Sequence, residues 1–261
     1  MQTLSRTSLA VALAMLCAAT GNTQTATAPK PATGSGAPAA DAPQRDPGLY
    51  MNIQTDMGGI TCKLFEQQAP NAVRTIVGLA IGKISYVDPR TKAVTKKKFY
   101  DGLVFHRVIP EFMIQGGDPL GTGYGNPGGP GFPYKNEVDP TLKFDVPGRL
   151  ALANEGNNNS NGSQFFITEV PYASLNGGYT IFGQCDNVDI VKAIARVKRD
   201  SDDKPLMPVH IQHITVQRVG PVPPNAPEVM PKPATPAKPA TTTAPKPVTG
   251  TAPKPTTPAT H

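Results

Sequence analysis

Phe105-His106-Arg107-Val108-Ile109-Pro110-Glu111-Phe112-Met113-Ile114-Gln115-Gly116-Gly117-Asp118 is the stretch on which the reading of this chain turns. It sets a lone arginine and a glutamine among large apolar side chains and ends on a Gly-Gly pair. Leu103–Val108 and Phe112–Gln115 read as strands. A second run, Gly162-Ser163-Gln164-Phe165-Phe166-Ile167-Thr168, again places a glutamine beside an aromatic pair. No serine–histidine pair, paired carboxylates or metal-ligand spacing accompanies either run. An apolar pocket with one fixed cation and a few amide donors can hold an apolar peptide residue, and it can polarise an amide without cleaving it.

Outward from these runs the period-2 signal continues. Tyr50–Asp56 and Ile60–Phe65 flank Met57-Gly58-Gly59 and read as a hairpin. Arg149–Ala153, Gln164–Thr168, Thr180–Gly183 and His210–Arg218 read as further strands. Residues 83–99 read as an excursion of two short polar strands around Asp88-Pro89-Arg90-Thr91. Pro70–Ala80 carries Val73, Ile76, Val77 and Ala80 at helical spacing behind a proline start, and Val188–Ala195 reads as a second helix. Short strands, glycine-rich joints and two helices imply a mainly β fold, a closed antiparallel barrel.

Composition divides the chain. Of its 30 prolines, 18 lie before Gly48 or after Gly220, whereas all nine Phe and all seven Tyr fall within 48–220. Only that stretch can bury a core, and about 170 residues suits one domain. Residues 22–47 and 221–261 are Pro/Ala/Thr/Lys segments with too little apolar surface to offset ordering entropy, and they are expected to be disordered arms. Ala28-Pro29-Lys30-Pro31 recurs as Ala244-Pro245-Lys246-Pro247 and Ala252-Pro253-Lys254-Pro255.

The net charge of +6 does not point to nucleic acid. Residues 48–220 hold 18 Lys+Arg against 16 Asp+Glu, which leaves +2, and the flanks hold 7 against 3, which adds +4. A duplex-binding face needs its basic residues gathered on one surface, and the excess here sits in the arms. Lys96-Lys97-Lys98 reads as a solvated loop or strand edge.

Residues 1–21 read as a signal peptide. Arg6 supplies the positive end, Ser8–Ala19 an apolar run too short for a stable anchor, and Ala18, Ala19 and Gly21 the small residues of a cleavage point. Export to the periplasm or cell envelope is expected. A lipoprotein through Cys17 is disfavoured, because Ala14-Met15-Leu16 puts a bulky residue before the cysteine. After cleavage Cys62 and Cys185 remain. Cys62 alternates with Ile60 and Leu64 as an inward-facing strand residue and is taken as a buried free thiol, while the sequence leaves open whether the two cysteines pair.

Four blocks in this order, Phe-His-Arg-Val-Ile-Pro, Phe-Met-Ile-Gln-Gly-Gly-Asp, Asn-Gly-Ser-Gln-Phe-Phe-Ile and Leu-Asn-Gly-Gly-Tyr-Thr-Ile-Phe-Gly, resemble the signature blocks of the cyclophilins, over roughly residues 49–219. The resemblance implies a closed eight-stranded antiparallel barrel with a helix over each end, and peptidyl-prolyl cis–trans isomerase activity without cofactor or metal. The excursion at 83–99 and the Asp118–Gly123 loop resemble bacterial members.

Position by position, the resemblance makes Arg107 the catalytic cation, with Gln115 holding it and bonding the substrate backbone. Phe112, Met113, Phe166 and Leu175 would grip the proline ring, with Ala153 beside them. Asn154 would pair with the substrate main chain through its own backbone, and Gln164 would lie beside that groove. Tyr179 stands where eukaryotic members often have histidine. Those members carry a tryptophan one position before Leu175. Here Ser174 stands there and the chain has no Trp at all, so weak cyclosporin binding is expected. Glu155 adds a negative charge near the groove, and His106 reads as structural. The partners implied are unfolded or flexible proline-containing polypeptides, met by a monomer. A pure capture module for proline segments is the rival reading, but capture alone has no use for the arginine.

Some apparent motifs carry no function. Gly123-Tyr124-Gly125-Asn126-Pro127-Gly128 has the spacing of a nucleotide-binding turn, but the prolines that follow allow no helix. His210 and His213 have helical metal spacing inside a strand pattern, where i and i+3 face opposite ways.

Overall fold

The computed structural model describes residues 45–224 and 226. The expected leader and nearly all of both arms lie outside the described residues. Ten strands and two helices follow one another along the chain: β1 (Gly48–Thr55), β2 (Gly58–Leu64), α1 (Pro70–Ala80), β3 (Tyr86–Val87), β4 (Val94–Thr95), β5 (Phe105–Ile109), β6 (Met113–Gly116), β7 (Arg149–Leu152), β8 (Phe165–Thr168), β9 (Ile181–Cys185), α2 (Val188–Ala195) and β10 (Ile211–Val219). Both helices fall where the 3.6-residue pattern places them, and β3 and β4 form the two-stranded excursion. No described helix is long and apolar enough to cross a membrane.

Eight strands form one antiparallel sheet in the order β10-β1-β2-β9-β7-β8-β6-β5. The sheet curls so that its two edges approach, but it is less closed than the strand pattern implies. Val104 and His210 make an isolated bridge, supported by Phe105 N–H donating to the Val209 carbonyl at 3.0 Å and Ile211 N–H to the Leu103 carbonyl at 2.7 Å. Beyond that bridge the outer edge of β5 bonds to a loop instead of to β10, with Val108 N–H donating to the Asp203 carbonyl at 2.9 Å. A loop that takes the edge hydrogen bonds removes the reason for the last ladder to form.

Inside the curl, Met51, Ile53, Ile60, Phe105, Ile114, Phe165 and Phe182 pack with one face of each helix. α1 has no side-chain cap from Ala69. Glu137, from a distant loop, takes that role, its two carboxylate oxygens accepting from Asn71 N–H at 3.0 Å and Ala72 N–H at 2.8 Å. These are N–H groups that helix geometry leaves without intrahelical partners.

Cys62 lies directly opposite Cys185 in the β2–β9 ladder, and the two form a disulfide. The expectation of a buried free thiol at Cys62 is thereby corrected. Facing positions on adjacent strands bring two Cβ atoms within bonding range, and that pairing register is not visible in the sequence.

Candidate active site

A second apolar cluster lies on the opposite face of the sheet from the main core. Met113, Phe144, Ala151, Phe166 and Ile181 are buried there, with Phe112, Leu175 and Tyr179 packed against them. Alternation along β8 explains it: Phe165 points into the curl and Phe166 points out. In register, Phe166 lies opposite Gln115 on β6 and Ala151 on β7. Phe166 stacks on Phe144 with ring centres 5.8 Å apart and meets Tyr179 edge-on at 5.3 Å.

Arg107 reaches this outer face through a β-bulge. Phe105 pairs with Gly116 and Arg107 with Gln115, so His106 is an extra residue without a cross-strand partner. In an unbroken strand Phe105 and Arg107 would share a face, and Phe105 is in the core. The bulge re-aims the arginine. His106 itself is buried, and neither ring nitrogen has a hydrogen-bond partner among the described residues. Burial pushes its pKa below the usual histidine value, opposed by Asp118 and reinforced by Lys204 and Arg107. A ring that is neutral when folded and free to protonate when unfolded stabilises the fold above about pH 6.5 and loses that contribution as pH falls toward the folded value. The melting temperature should therefore drop between about pH 7 and pH 5, and His106→Gln should flatten that dependence. An unchanged profile in the variant would place the titration elsewhere.

One cavity of about 120 Å³ is lined by Arg107, Phe112, Met113, Gln115, Ala153, Asn154, Phe166, Leu175 and Tyr179. Gln164 lies in an adjoining cavity with Gly123, Asn126, Glu155 and Ser160, which shares Gln115, Ala153 and Asn154 with the first. All ten residues expected at the site are thus brought together. Gln115 faces Arg107 in the ladder, but its amide donates to the Gln164 carbonyl oxygen at 3.0 Å. Among the described residues the guanidinium pairs with Asp203, with Oδ2 3.8 Å from Nε, and Arg199 holds the other oxygen of Asp203 at 3.0 Å.

Asn154 spends its side chain on structure: Nδ2 donates to the Gly178 carbonyl at 2.9 Å and Oδ1 accepts from Gly156 N–H at 3.0 Å. Its backbone N–H and C=O have no backbone partner among the described residues, which leaves them available to a bound chain. Ser174, in the turn Ala173–Leu175, is exposed at the rim.

Three supports lie outside the residues expected at the site. Asp118, buried at the end of β6, accepts from the N–H groups of Leu120, Thr122 and Gly123 at 2.6–2.7 Å. The loop so folded offers the Gly123 and Gly125 carbonyls, each 2.9 Å from Gln164 Nε2. Burial pushes the Asp118 carboxyl upward, but these backbone donors prevail and hold its pKa below the usual value. Gly117, at φ +85°, allows the close approach: a Cβ there would lie 2.5 Å from the Ser163 carbonyl oxygen.

Glu169 is the second support. It is buried, accepts from Glu111 N–H at 3.0 Å, pairs with Arg196, and donates its own N–H to the Phe112 carbonyl at 2.8 Å. Glu111 adopts φ +58°, an uncommon conformation that this clamp holds. The third is Tyr172, whose ring packs at 4.5 Å on Phe112. The usable sequence signal was a charged residue directly after an apolar strand, as Glu169 follows Phe165–Thr168, because buried charge must be partnered.

Among the described residues no three His, Cys, Asp or Glu side chains are grouped to hold a metal. The arrangement offers an apolar cleft for one small ring, the unpartnered backbone groups of Asn154 beside it and one guanidinium at the cleft wall.

Residues 50–216 match the family model described as cyclophilin type peptidyl-prolyl cis-trans isomerase/CLD. The chain is 45% identical over 167 residues to the probable peptidyl-prolyl cis-trans isomerase A of Mycobacterium bovis, covering 63% of this chain and 90% of that one. It is 44% identical over 173 residues to peptidyl-prolyl cis-trans isomerase B of Streptomyces anulatus, covering 65% and 97%. The crystal structure of a cyclophilin type isomerase from Cryptosporidium parvum aligns with TM-score 0.58 and 32% identity, over 66% of this chain and 99% of that one. A second structure of that protein, in the presence of the dipeptide Ala-Pro, aligns with TM-score 0.57.

Proposed function

This chain belongs to the cyclophilin-type peptidyl-prolyl cis–trans isomerases and is an enzyme acting on proline-containing peptides, and from that premise we propose how its own residues work and where it acts. Amide resonance sets the X–Pro barrier at roughly 18–20 kcal/mol, so the bond turns over tens to hundreds of seconds. Reaching milliseconds takes a fall of about 5–7 kcal/mol. No bond need be made or broken. What is needed is a group that favours the twisted amide, with its pyramidal nitrogen, over the planar one.

The observation that carries this reading is the bulge that sets Arg107 on the wall of the apolar cleft. Arginine is charged at every relevant pH and presents a rigid fork of donors. Phe112, Met113, Phe166 and Leu175 hold the ring, the Asn154 backbone and Gln115 fix the flanking chain, and the guanidinium meets the prolyl amide as it twists. Asp203 orients Arg107, and Gln164 orients Gln115.

A protease-coupled or NMR-exchange assay on an Ala-Pro peptide tests the function. The full chain is expected to accelerate exchange by several powers of ten at saturation, and exchange at the uncatalysed rate would overturn it. Cyclosporin is expected to inhibit weakly, since Ser174 offers no indole at the rim. The protein acts as a monomer.

The site of action is the exported space, where the enzyme assists folding of secreted chains. Arg6 with the Ser8–Ala19 run supports this reading, as does the Cys62–Cys185 disulfide, a pairing that persists in oxidising compartments. Cell fractionation with N-terminal sequencing checks it. A mature chain beginning just beyond Ala19–Gly21 is expected, and a cytoplasmic chain still starting at Met1 would contradict it.

A further inference from the structure

We propose that the C-terminal segment, residues 227–261, is an intramolecular ligand and substrate of the cleft, so that the protein isomerises its own Lys-Pro bonds; this rests on the function proposed above. The cleft has room for one small ring beside Asn154, whose backbone groups have no backbone partner among the described residues. Beside it lies the adjoining cavity, whose one charged lining residue among the described residues is Glu155. The segment matches both features. Every one of its four lysines immediately precedes a proline: Lys232-Pro233, Lys238-Pro239, Lys246-Pro247 and Lys254-Pro255. Its only acidic residue is Glu228. A ring for the apolar cleft is thus coupled four times over to a cation for the exposed Glu155 carboxylate beside it.

Reach does not limit the contact. From Ala226, the last described residue, 20 residues lead to Lys246. At about 3.3 Å per extended residue they span up to roughly 65 Å. A domain of the size of residues 45–224 has a radius of gyration of about 16 Å and is roughly 40 Å across. A ligand tethered by a chain that spans its site meets that site at an effective concentration on the order of millimolar, and four equivalent Lys-Pro units multiply the encounters. An external peptide therefore competes with the protein's own chain.

The test is two-dimensional exchange NMR on the full chain, following the cis and trans signals around Lys246-Pro247 and Lys254-Pro255, with an added Ala-Pro peptide as external substrate. Tail exchange is expected to be at least about tenfold faster than in a free peptide of residues 227–261, unchanged on tenfold dilution of the protein, and lost in the full-length Arg107→Ala variant. Tail exchange at the free-peptide rate, while the same sample turns over the Ala-Pro peptide, would overturn the inference and leave the enzyme reading intact. Tail exchange that slows in proportion to dilution would overturn it too, because the catalysis would then be between molecules. If neither substrate is accelerated, the proposed function fails with it.

Discussion

Arg107→Ala should lower kcat/KM for an X–Pro peptide by about two to three powers of ten, the effect of removing a main electrostatic donor. The guanidinium side chain is partly exposed, and its only ion pair among the described residues is a loose one with Asp203 at 3.8 Å. Truncating it therefore leaves no buried charge unpaired apart from what Arg199 already holds at 3.0 Å, and the fold should survive. Loss of activity with an unchanged melting temperature is the expected pair of results. Arg107→Lys should restore little, since an ammonium is a strongly hydrated point charge without the planar fork. If the lysine variant retained nearly full rate, positive charge alone would suffice and the directional role given to the guanidinium would be wrong.

Loss of the Cys62–Cys185 disulfide should be the largest single change in stability. The bond links residues 123 positions apart, so it removes much of the loop freedom of the unfolded chain, about 3–5 kcal/mol by the chain-entropy account. For a domain of this size that is roughly 10 °C or more in melting temperature. Both sulfurs are buried, so alanine in their place adds a small packing loss. Comparing the Cys62→Ala/Cys185→Ala variant with fully reduced wild type separates the two effects. Both should melt well below the oxidised protein while keeping isomerase activity at 25 °C, since neither cysteine lines the cleft. Equal melting of oxidised and reduced wild type would deny the bond its stabilising role.

Much of this was legible because the informative signals are local. Pro70–Ala80 and Val188–Ala195 carry their own apolar stripe, and β1 and β2 their own alternation. Most residues lining the cleft stand in the four runs that carry the family resemblance, and that resemblance singled them out. What escaped depends on pairing across the sheet. A period-2 reading puts Phe105 and Arg107 on one face, and only the Gly116–Gln115 register reveals that His106 is surplus. The opposition of Cys62 to Cys185 is a register fact of the same kind. Closure of the barrel was overstated because the Asp203 loop, far along the chain, takes an edge bond of β5. The partner of Gln115 was misplaced for a related reason: Asp118 folds a loop whose carbonyls orient Gln164, and that amide then accepts from Gln115. Glu169 and Arg196 clamp the Glu111 turn from two other segments. Each of these is a long-range polar contact, which strand and helix periodicity does not encode.

The central claim is that Arg107 acts on the twisted amide and not on the resting peptide. NMR line-shape analysis at saturating Ala-Pro peptide measures the on-enzyme exchange rate and the dissociation constant separately. For Arg107→Ala the account predicts exchange on the enzyme slower by about a hundredfold or more, with affinity kept within about threefold. A variant that binds peptide a hundredfold more weakly yet isomerises what it binds at the wild-type rate would contradict it and make Arg107 a binding residue alone.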